Sequence, residues 1–178
     1  MANNHGVVNT THCTCWDVDA YKAVGVAQVD LDNGVLVTLG DINKNADNAV
    51  QGYEFNVTAA EAASTHVWLV RTPEVGATLD MQMYSDPRHF YNVAGRPMSL
   101  CYLHPHVDCI EVDANCFVEG SAPADQPTYT FATIGEGGKY AMAEAAPDAG
   151  TYFSLVGTHT MSIGMEVIPT YILRCENN

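Results

Sequence analysis

The chain has 178 residues and a formal net charge of −14 at pH 7, from 7 Lys and Arg against 21 Asp and Glu. This acidity argues against nucleic acid or an anionic membrane as a partner, because binding to phosphate groups depends on Lys and Arg. Hydrophobic residues make up 47% and charged residues 16% of the chain, so it has enough apolar material for the core of one domain and does not read as disordered.

The first twenty residues are rich in Asn, Thr and small polar residues and show neither helical nor strand periodicity. The sequence therefore predicts an extended N-terminal arm over residues 1–20 and a domain over residues 21–178. The beginning of the chain lacks the basic and apolar regions of a secretory signal. The longest apolar runs are far shorter than the ~20 residues of a membrane-spanning helix, so we expect a soluble protein with no membrane partner.

Strand patterns begin at residue 23, where apolar and polar residues start to alternate. Asn33-Gly34 lies between two such runs, and type I′ hairpin turns favour Asn-Gly because both central residues need a positive φ. We therefore predict a hairpin across residues 27–39. Tyr53 to Val57 alternates like a half-buried strand, and the continuous run from Val67 to Val70 is typical of a strand buried on both faces.

The middle of the chain contains a short helix candidate and a long connection. Thr58 and Glu61 have the spacing of a capping box, which predicts one or two helical turns at this point. Residues 74–97 then form a connection with several Pro and Gly and one helical turn around residues 88–92. A connection of this length is usually functional or interfacial.

The rest of the chain reads as short strands separated by turn residues. Pro169 cannot donate to a sheet, so the last strand is expected at an edge or with a bulge. About ten short strands with turn signals between them favour a mainly β single-domain sandwich or barrel with one or two short helices and the extended arm. The strands predicted after the long connection are 98–103, 107–112, 115–118, 128–134, 139–143, 151–156 and 164–173.

The six cysteines are expected to stay reduced, because the chain shows no secretory signal and disulfides are rare in reducing compartments. The favoured interpretation is that they fill the core as small hydrophobic residues. His12, Cys13 and Cys15 offer soft ligands, so a structural zinc site is an alternative. Such a site would be completed by Cys101, Cys109, Cys116 or His104.

The densest group of polar residues is His104-Pro-His106-Val-Asp-Cys-Ile-Glu111. On a strand, His104 and His106 would point to the same face, and the spacing His-x-His-x4-Glu matches the first half of a cupin metal signature. The downstream half of that signature is missing, and His159 stands alone. We therefore predict no metal, no cofactor and no catalytic residues, and a cupin-like metal-binding enzyme is the less favoured alternative.

Five blocks in the N-terminal two thirds of the chain carry a family resemblance through their order and spacing. They are Val29-Asp-Leu-Asp-Asn-Gly-Val-Leu-Val-Thr-Leu-Gly40, Val67-Trp-Leu-Val-Arg-Thr-Pro-Glu-Val75, Phe90-Tyr-Asn-Val-Ala-Gly-Arg-Pro97, Leu100-Cys-Tyr-Leu103 and Cys109-Ile-Glu-Val112. Together they resemble a family of small structural proteins of tailed bacteriophages, proposed as head decoration or auxiliary capsid proteins. The chain departs from the family where His106-Val-Asp108 replaces a Gly-Asp turn. Residues 121–178 resemble the family only in having sequence patterns typical of β-strands.

The resemblance implies a non-enzymatic capsid decoration protein that binds the major capsid protein lattice from outside and helps it resist internal pressure. Such a protein is made in the host cytoplasm, resides on the virion surface and acts as a homo-oligomer, for which a trimer is a plausible arrangement. A polar arm that becomes ordered on docking would suit attachment to a lattice. Another virion component, such as a tail or head-fibre subunit, is an alternative that composition leaves open.

Overall fold

The computed structural model describes residues 5–16, 19–76, 78–84 and 86–178, and these form a mainly β fold of two sheets, as expected. Five strands close a barrel in the order β2-β4-β3-β5-β6, and six form a second sheet in the order β1-β7-β11-β10-β8-β9. The barrel strands are β2 (Lys22–Ala27), β3 (Leu36–Lys44), β4 (Val50–Ala59), β5 (Trp68–Val70) and β6 (Pro97–Tyr102). The strands of the second sheet are β1 (Val8–His12), β7 (Cys109–Asp113), β8 (Phe131–Ile134), β9 (Tyr140–Ala143), β10 (Tyr152–Ile163) and β11 (Glu166–Asn177).

Helical structure in the described residues is limited to α1 (Leu79–Tyr84) and a few single turns of 3-10 helix. No helix among these residues has the length and apolar character needed to cross a membrane. The long connection between β5 and β6 contains α1, which the sequence analysis missed. The helical turn expected around residues 88–92 lies slightly earlier, at Pro87–His89.

Neighbouring residues of the barrel strands point alternately into two cores. Val37, Val70 and Leu100 belong to one core, inside the barrel. One sequence neighbour of each belongs to a larger core shared with the second sheet; these neighbours are Leu36, Leu69 and Cys101. Strands buried on both faces need apolar residues at every position rather than at alternate ones. This confirms the interpretation of Val67–Val70, in which Val67, Leu69 and Val70 are fully buried. The shared core joins barrel and sheet into one domain.

The predicted hairpin at Asn33-Gly34 is wrong. β2 pairs with β4 and β6, whereas β3 pairs with β4 and β5, so β2 and β3 are not neighbours. Gly34 does adopt a positive φ of 91°, but its N–H donates to the carbonyl of Val70. The buried Asn33 side chain donates to the Thr72 carbonyl at 2.9 Å and accepts from the Thr72 N–H at 3.0 Å. Asn-Gly therefore predicted the local backbone conformation and not the pairing of the strands.

Two further local predictions are also wrong. The helix expected after Thr58 is absent because β4 continues to Ala59 and a turn follows, in which the Ser64 hydroxyl accepts the Glu61 N–H at 3.0 Å. The strand expected at 115–118 is replaced by a 3-10 turn at Ala114–Cys116. At Thr58 the pairing of β4 with β3 outweighs the short local helix signal.

The expectation that the last strand lies at an edge is wrong, because β11 lies between β7 and β10, but Pro169 itself lies outside the stretch that pairs with β7. It pairs with Thr160 of β10, and the pairing of β11 with β7 begins only at the next residue, Thr170. Among the described residues, no strand pairs with β11 at Pro169 on the side opposite β10, and the missing N–H of Pro169 falls at this place. The same pairing shows that β10 and β11 extend well beyond the rest of their sheet.

The predicted N-terminal arm covers residues 1–20, of which 1–4 and 17–18 lie outside the described residues. Val8–His12 forms β1, which pairs with β7, and Val7 and Thr10 are buried. The prediction of a separate arm is therefore wrong for this part of the segment. Strand β1 is short and its register shifts between Asn9 and His12, so too few alternating positions remain for the pattern to be recognised.

The expectation that all six cysteines are reduced is wrong for one pair. Cys15, just after β1, forms a disulfide with Cys101 of β6, and the two are 86 residues apart in sequence. Cys13, Cys109, Cys116 and Cys175 are free. The disulfide fastens the N-terminal segment to the barrel, which gives this segment a second attachment besides β1.

Candidate interaction surfaces

The histidine motif forms a turn rather than a strand. His106 has a φ of 63°, and the carboxylate of the buried Asp108 accepts the His104 N–H at 2.7 Å. The same carboxylate accepts the N–H of Thr14 at 2.6 Å, so Asp108 ties the turn to the N-terminal segment. The two histidines therefore do not share a strand face. Among the described residues, no group of three or more His, Cys, Asp and Glu is arranged to hold a metal ion.

Glu111 links several strands of the second sheet. Its carboxylate accepts hydrogen bonds from Asn9 of β1 and Thr170 of β11 and lies 2.9 Å from Nδ1 of His159 of β10. Burial alone would raise the pKa of Glu111, but the hydrogen bonds from Thr170, His159 and Asn9 outweigh it and lower that pKa. The arrangement explains Glu111 and His159 as a structural link between strands.

The free buried cysteines pack within the core shared by barrel and sheet, as the sequence analysis expected. Burial raises the pKa of Cys175 to about 12, and burial together with the nearby Asp108 raises that of Cys13 further. A raised pKa keeps these thiols protonated and therefore weakly nucleophilic. The disulfide takes Cys15 and Cys101 out of the set of thiols that the zinc alternative requires.

The long connection presents an exposed apolar surface on α1. The Thr78 hydroxyl accepts the Met81 N–H at 3.3 Å at the start of the helix, and Met81 faces inward with 4% of its surface exposed. Leu79 and Met83 are four residues apart, so they share the opposite face, and they are 75% and 71% exposed. Val75, just before the helix, is 78% exposed. We call Val75, Leu79 and Met83 the helix patch.

The helix patch is surrounded by negative charge. Glu74 and Asp80 are exposed carboxylates next to it in the chain. The guanidinium group of Arg88, which follows α1, contacts Asp86 at 2.7 Å and also the carboxylate of Glu166, at the start of β11. The hydrogen bonds from Arg88 lower the pKa of Asp86. Arg88 is thus already paired with two carboxylates. Glu74 interacts with Arg71, although burial outweighs this and raises the pKa of Glu74, so Asp80 is the exposed carboxylate on α1 itself.

Two hairpins project from the fold and expose further large side chains. The end of the β3–β4 hairpin exposes Val50 and Tyr53, and Tyr53 has a positive φ of 59°, which is uncommon outside glycine. The ring of Tyr53 therefore faces solvent, although the sequence pattern placed it on a buried strand face. The end of the β10–β11 hairpin exposes Met165 fully. The contact between Arg88 and Glu166 brings this end of the hairpin against the connection that carries the helix patch.

The sequence analysis flagged the long connection as interfacial but named none of the residues of the helix patch. A helix of six residues is too short for a hydrophobic period to be read from the sequence, although Leu79 and Met83 at a spacing of four were visible. The fold and these surfaces define a mainly β protein with several large apolar side chains exposed to solvent. No family model, curated protein or solved structure matches the chain.

Proposed function

We propose that this chain is a non-enzymatic viral structural protein, a capsid decoration protein that binds the outside of the major capsid lattice. The helix patch is the observation that carries the proposal. Two large apolar side chains on a capped helix and a third just before it are exposed to solvent, and patches of this kind mark interaction sites. The family resemblance of the N-terminal two thirds supplies the kind of partner.

The charge around the helix patch restricts the chemistry of that partner. Glu74 and Asp80 stand beside the apolar side chains, and the whole chain carries a net charge of −14. A complementary surface would therefore have an apolar hollow with Lys or Arg at its rim. Met83 suits such a contact because its side chain adapts to irregular surfaces. We assign this complementary surface to the major capsid protein.

The N-terminal segment has a different role in this proposal from the one the sequence suggested. Residues 5–16 are held by β1 and by the Cys15–Cys101 disulfide, so the helix patch replaces a flexible arm as the attachment surface. The disulfide is compatible with a place on the virion surface, because disulfides persist there and are rare in the host cytoplasm where the chain would be made.

The proposal is tested by mixing the purified chain with undecorated capsids of the phage that encodes it and measuring co-sedimentation. We expect saturable binding that weakens as salt is added. The double substitution Leu79→Ser and Met83→Ser should weaken it about tenfold or more, since each side chain contributes roughly 1 kcal/mol of apolar burial. Val107→Ser is the matched control, because Val107 is an exposed apolar residue in the turn after His106.

Each outcome of the binding experiment has a separate meaning. The absence of saturable binding by the unmodified chain would contradict a decoration role. Saturable binding that the double substitution leaves unchanged would keep the role and remove the helix patch as its surface. Binding at the tail rather than the head would favour the alternative virion component.

A further inference from the structure

The β10–β11 hairpin extends far beyond the sheet to which it belongs. Both strands have twelve residues and pair along their whole length. On the outer side of β10, β8 pairs only with Tyr152–Ser154, and the last backbone bond runs from the Leu155 N–H to the Thr130 carbonyl at 2.8 Å. Residues 156–169 therefore form a projecting ribbon, and no strand covers the outer edge of its β10 half in the part of the chain that the structure describes.

Free strand edges are usually protected against pairing with another chain, by charges, proline, bulges or shortness. The β11 half of the projecting ribbon has Glu166 and Pro169. The β3–β4 hairpin carries Asp41, Lys44 and Glu54. At the ends of the second sheet, β1 and β9 have only five and four residues, and β1 is also interrupted by a register shift.

The outer edge of β10 lacks these protections over most of its length. Residues 157–163 read Gly-Thr-His-Thr-Met-Ser-Ile, with no Lys, Arg, Asp, Glu or Pro, and the register shift between Leu155 and Gly157 lies at the beginning of the segment. The backbone N–H and C=O groups on this side of β10 have no strand partner among the described residues, although near the tip residues 161–164 line a cavity together with β1 and Pro87. Val156 and Val167, near this edge, are exposed and would lose contact with water in such a pairing.

We propose that this edge of β10 pairs antiparallel with the same edge of a second copy of the chain. Charge favours a second copy at this place, because two chains of net charge −14 repel each other wherever carboxylates meet. Glu166 is the one charged residue of the projecting ribbon, and it lies at the tip, where it shares Arg88 with Asp86. An antiparallel contact between identical edges is self-complementary and closes on a two-fold axis. The inference gives a dimer rather than a trimer and does not depend on the proposed function.

The oligomeric state of the full chain in solution tests the inference. Sedimentation velocity over a wide range of protein concentration should show a species of two chains that dissociates on dilution. We expect Thr160→Glu to raise its dissociation constant about tenfold or more, because added carboxylates would face each other near the two-fold axis. Thr65→Glu adds the same charge at an exposed threonine in the turn between β4 and β5, next to Ser64, which bonds to Thr151 at the opposite end of β10, and should leave the dimer intact.

A second measurement examines the edge itself and excludes misfolding. Amide hydrogen exchange of residues 156–163 should slow as the concentration of the unmodified chain rises, and the Thr160→Glu variant should keep fast exchange there with an unchanged thermal midpoint. A chain that is monomeric at every concentration would overturn the inference. So would a dimer that Thr160→Glu does not weaken, or a species of three chains.

Discussion

Single half-buried polar residues help to hold the strands of the second sheet together, and Glu111 is the clearest case. Its carboxylate accepts hydrogen bonds from three strands, which lowers its pKa below the usual 4.5. A carboxyl group whose pKa is lowered by folding stabilises the native state above the unfolded pKa. This stabilisation is lost as the pH falls below about 4.5 towards the lower native value.

We therefore predict that Glu111→Gln lowers the free energy of unfolding at neutral pH and reduces its further loss between neutral pH and pH values below 4.5. Urea denaturation at a series of pH values measures both effects. Glu144→Gln, at an exposed position, is the control and should follow the acid dependence of the unmodified chain. A Glu111→Gln curve parallel to that of the unmodified chain would show that Glu111 does not carry this stabilisation.

Among the elements, the β8–β9 turn shows how the second sheet is fitted against the barrel. Gly137 and Gly138 both have positive φ, 67° and 75°. A Cβ atom on Gly138 would lie 2.2 Å from the carbonyl oxygen of Leu36 in β3, whereas a Cβ atom on Gly137 would meet nothing within 4 Å. Substitutions at Gly137 and Gly138 therefore separate the effect of backbone conformation from the effect of close packing.

Both Gly137→Ala and Gly138→Ala should destabilise the chain, by about 1–2 kcal/mol for the left-handed backbone alone. Gly138→Ala should cost roughly 1–3 kcal/mol more, because the turn must move away from β3. The difference between the two variants in urea denaturation measures the contact between barrel and sheet. Equal effects would mean that the turn is not packed against Leu36.

At the scale of elements, the sequence allowed the β class and several strands to be predicted. Val67–Val70 was recognisable because burial on both faces leaves a continuous apolar run. Pro169 indicated a missing hydrogen-bond partner, which the structure has only locally, because β11 as a whole lies inside the sheet. The pairing around Asn33 was not predictable, because its side chain bonds to the backbone of Thr72, 39 residues away. The Cys15–Cys101 disulfide was not predictable either, because its two cysteines are 86 residues apart in sequence.

The candidate surfaces, too, were predictable from the sequence only in part. The long connection was recognisable as a functional segment from its length, but the exposed face of α1 depends on how Met81 packs inward, which is a tertiary property. The projecting ribbon was not recognisable at all. Its free edge exists because β8 ends before β10 does, and strand lengths are set by partners distant in sequence.

For the whole molecule, we propose that two surfaces have different tasks. In this proposal the helix patch would attach the chain to the capsid lattice, and the outer edge of β10 would join two copies. Joining copies would strengthen attachment, because the second contact of a linked pair forms at a high effective concentration. The acidic remainder of the surface, with its net charge of −14, opposes contacts elsewhere and adsorption to nucleic acid.

The location of the chain on its particle tests the central claim most directly. Electron cryo-microscopy of capsids assembled with and without the chain gives a difference map that shows where it binds. The account predicts additional density on the outer surface of the head, with α1 facing the major capsid protein. Density at the tail, inside the head, or no additional density at all would contradict a decoration role.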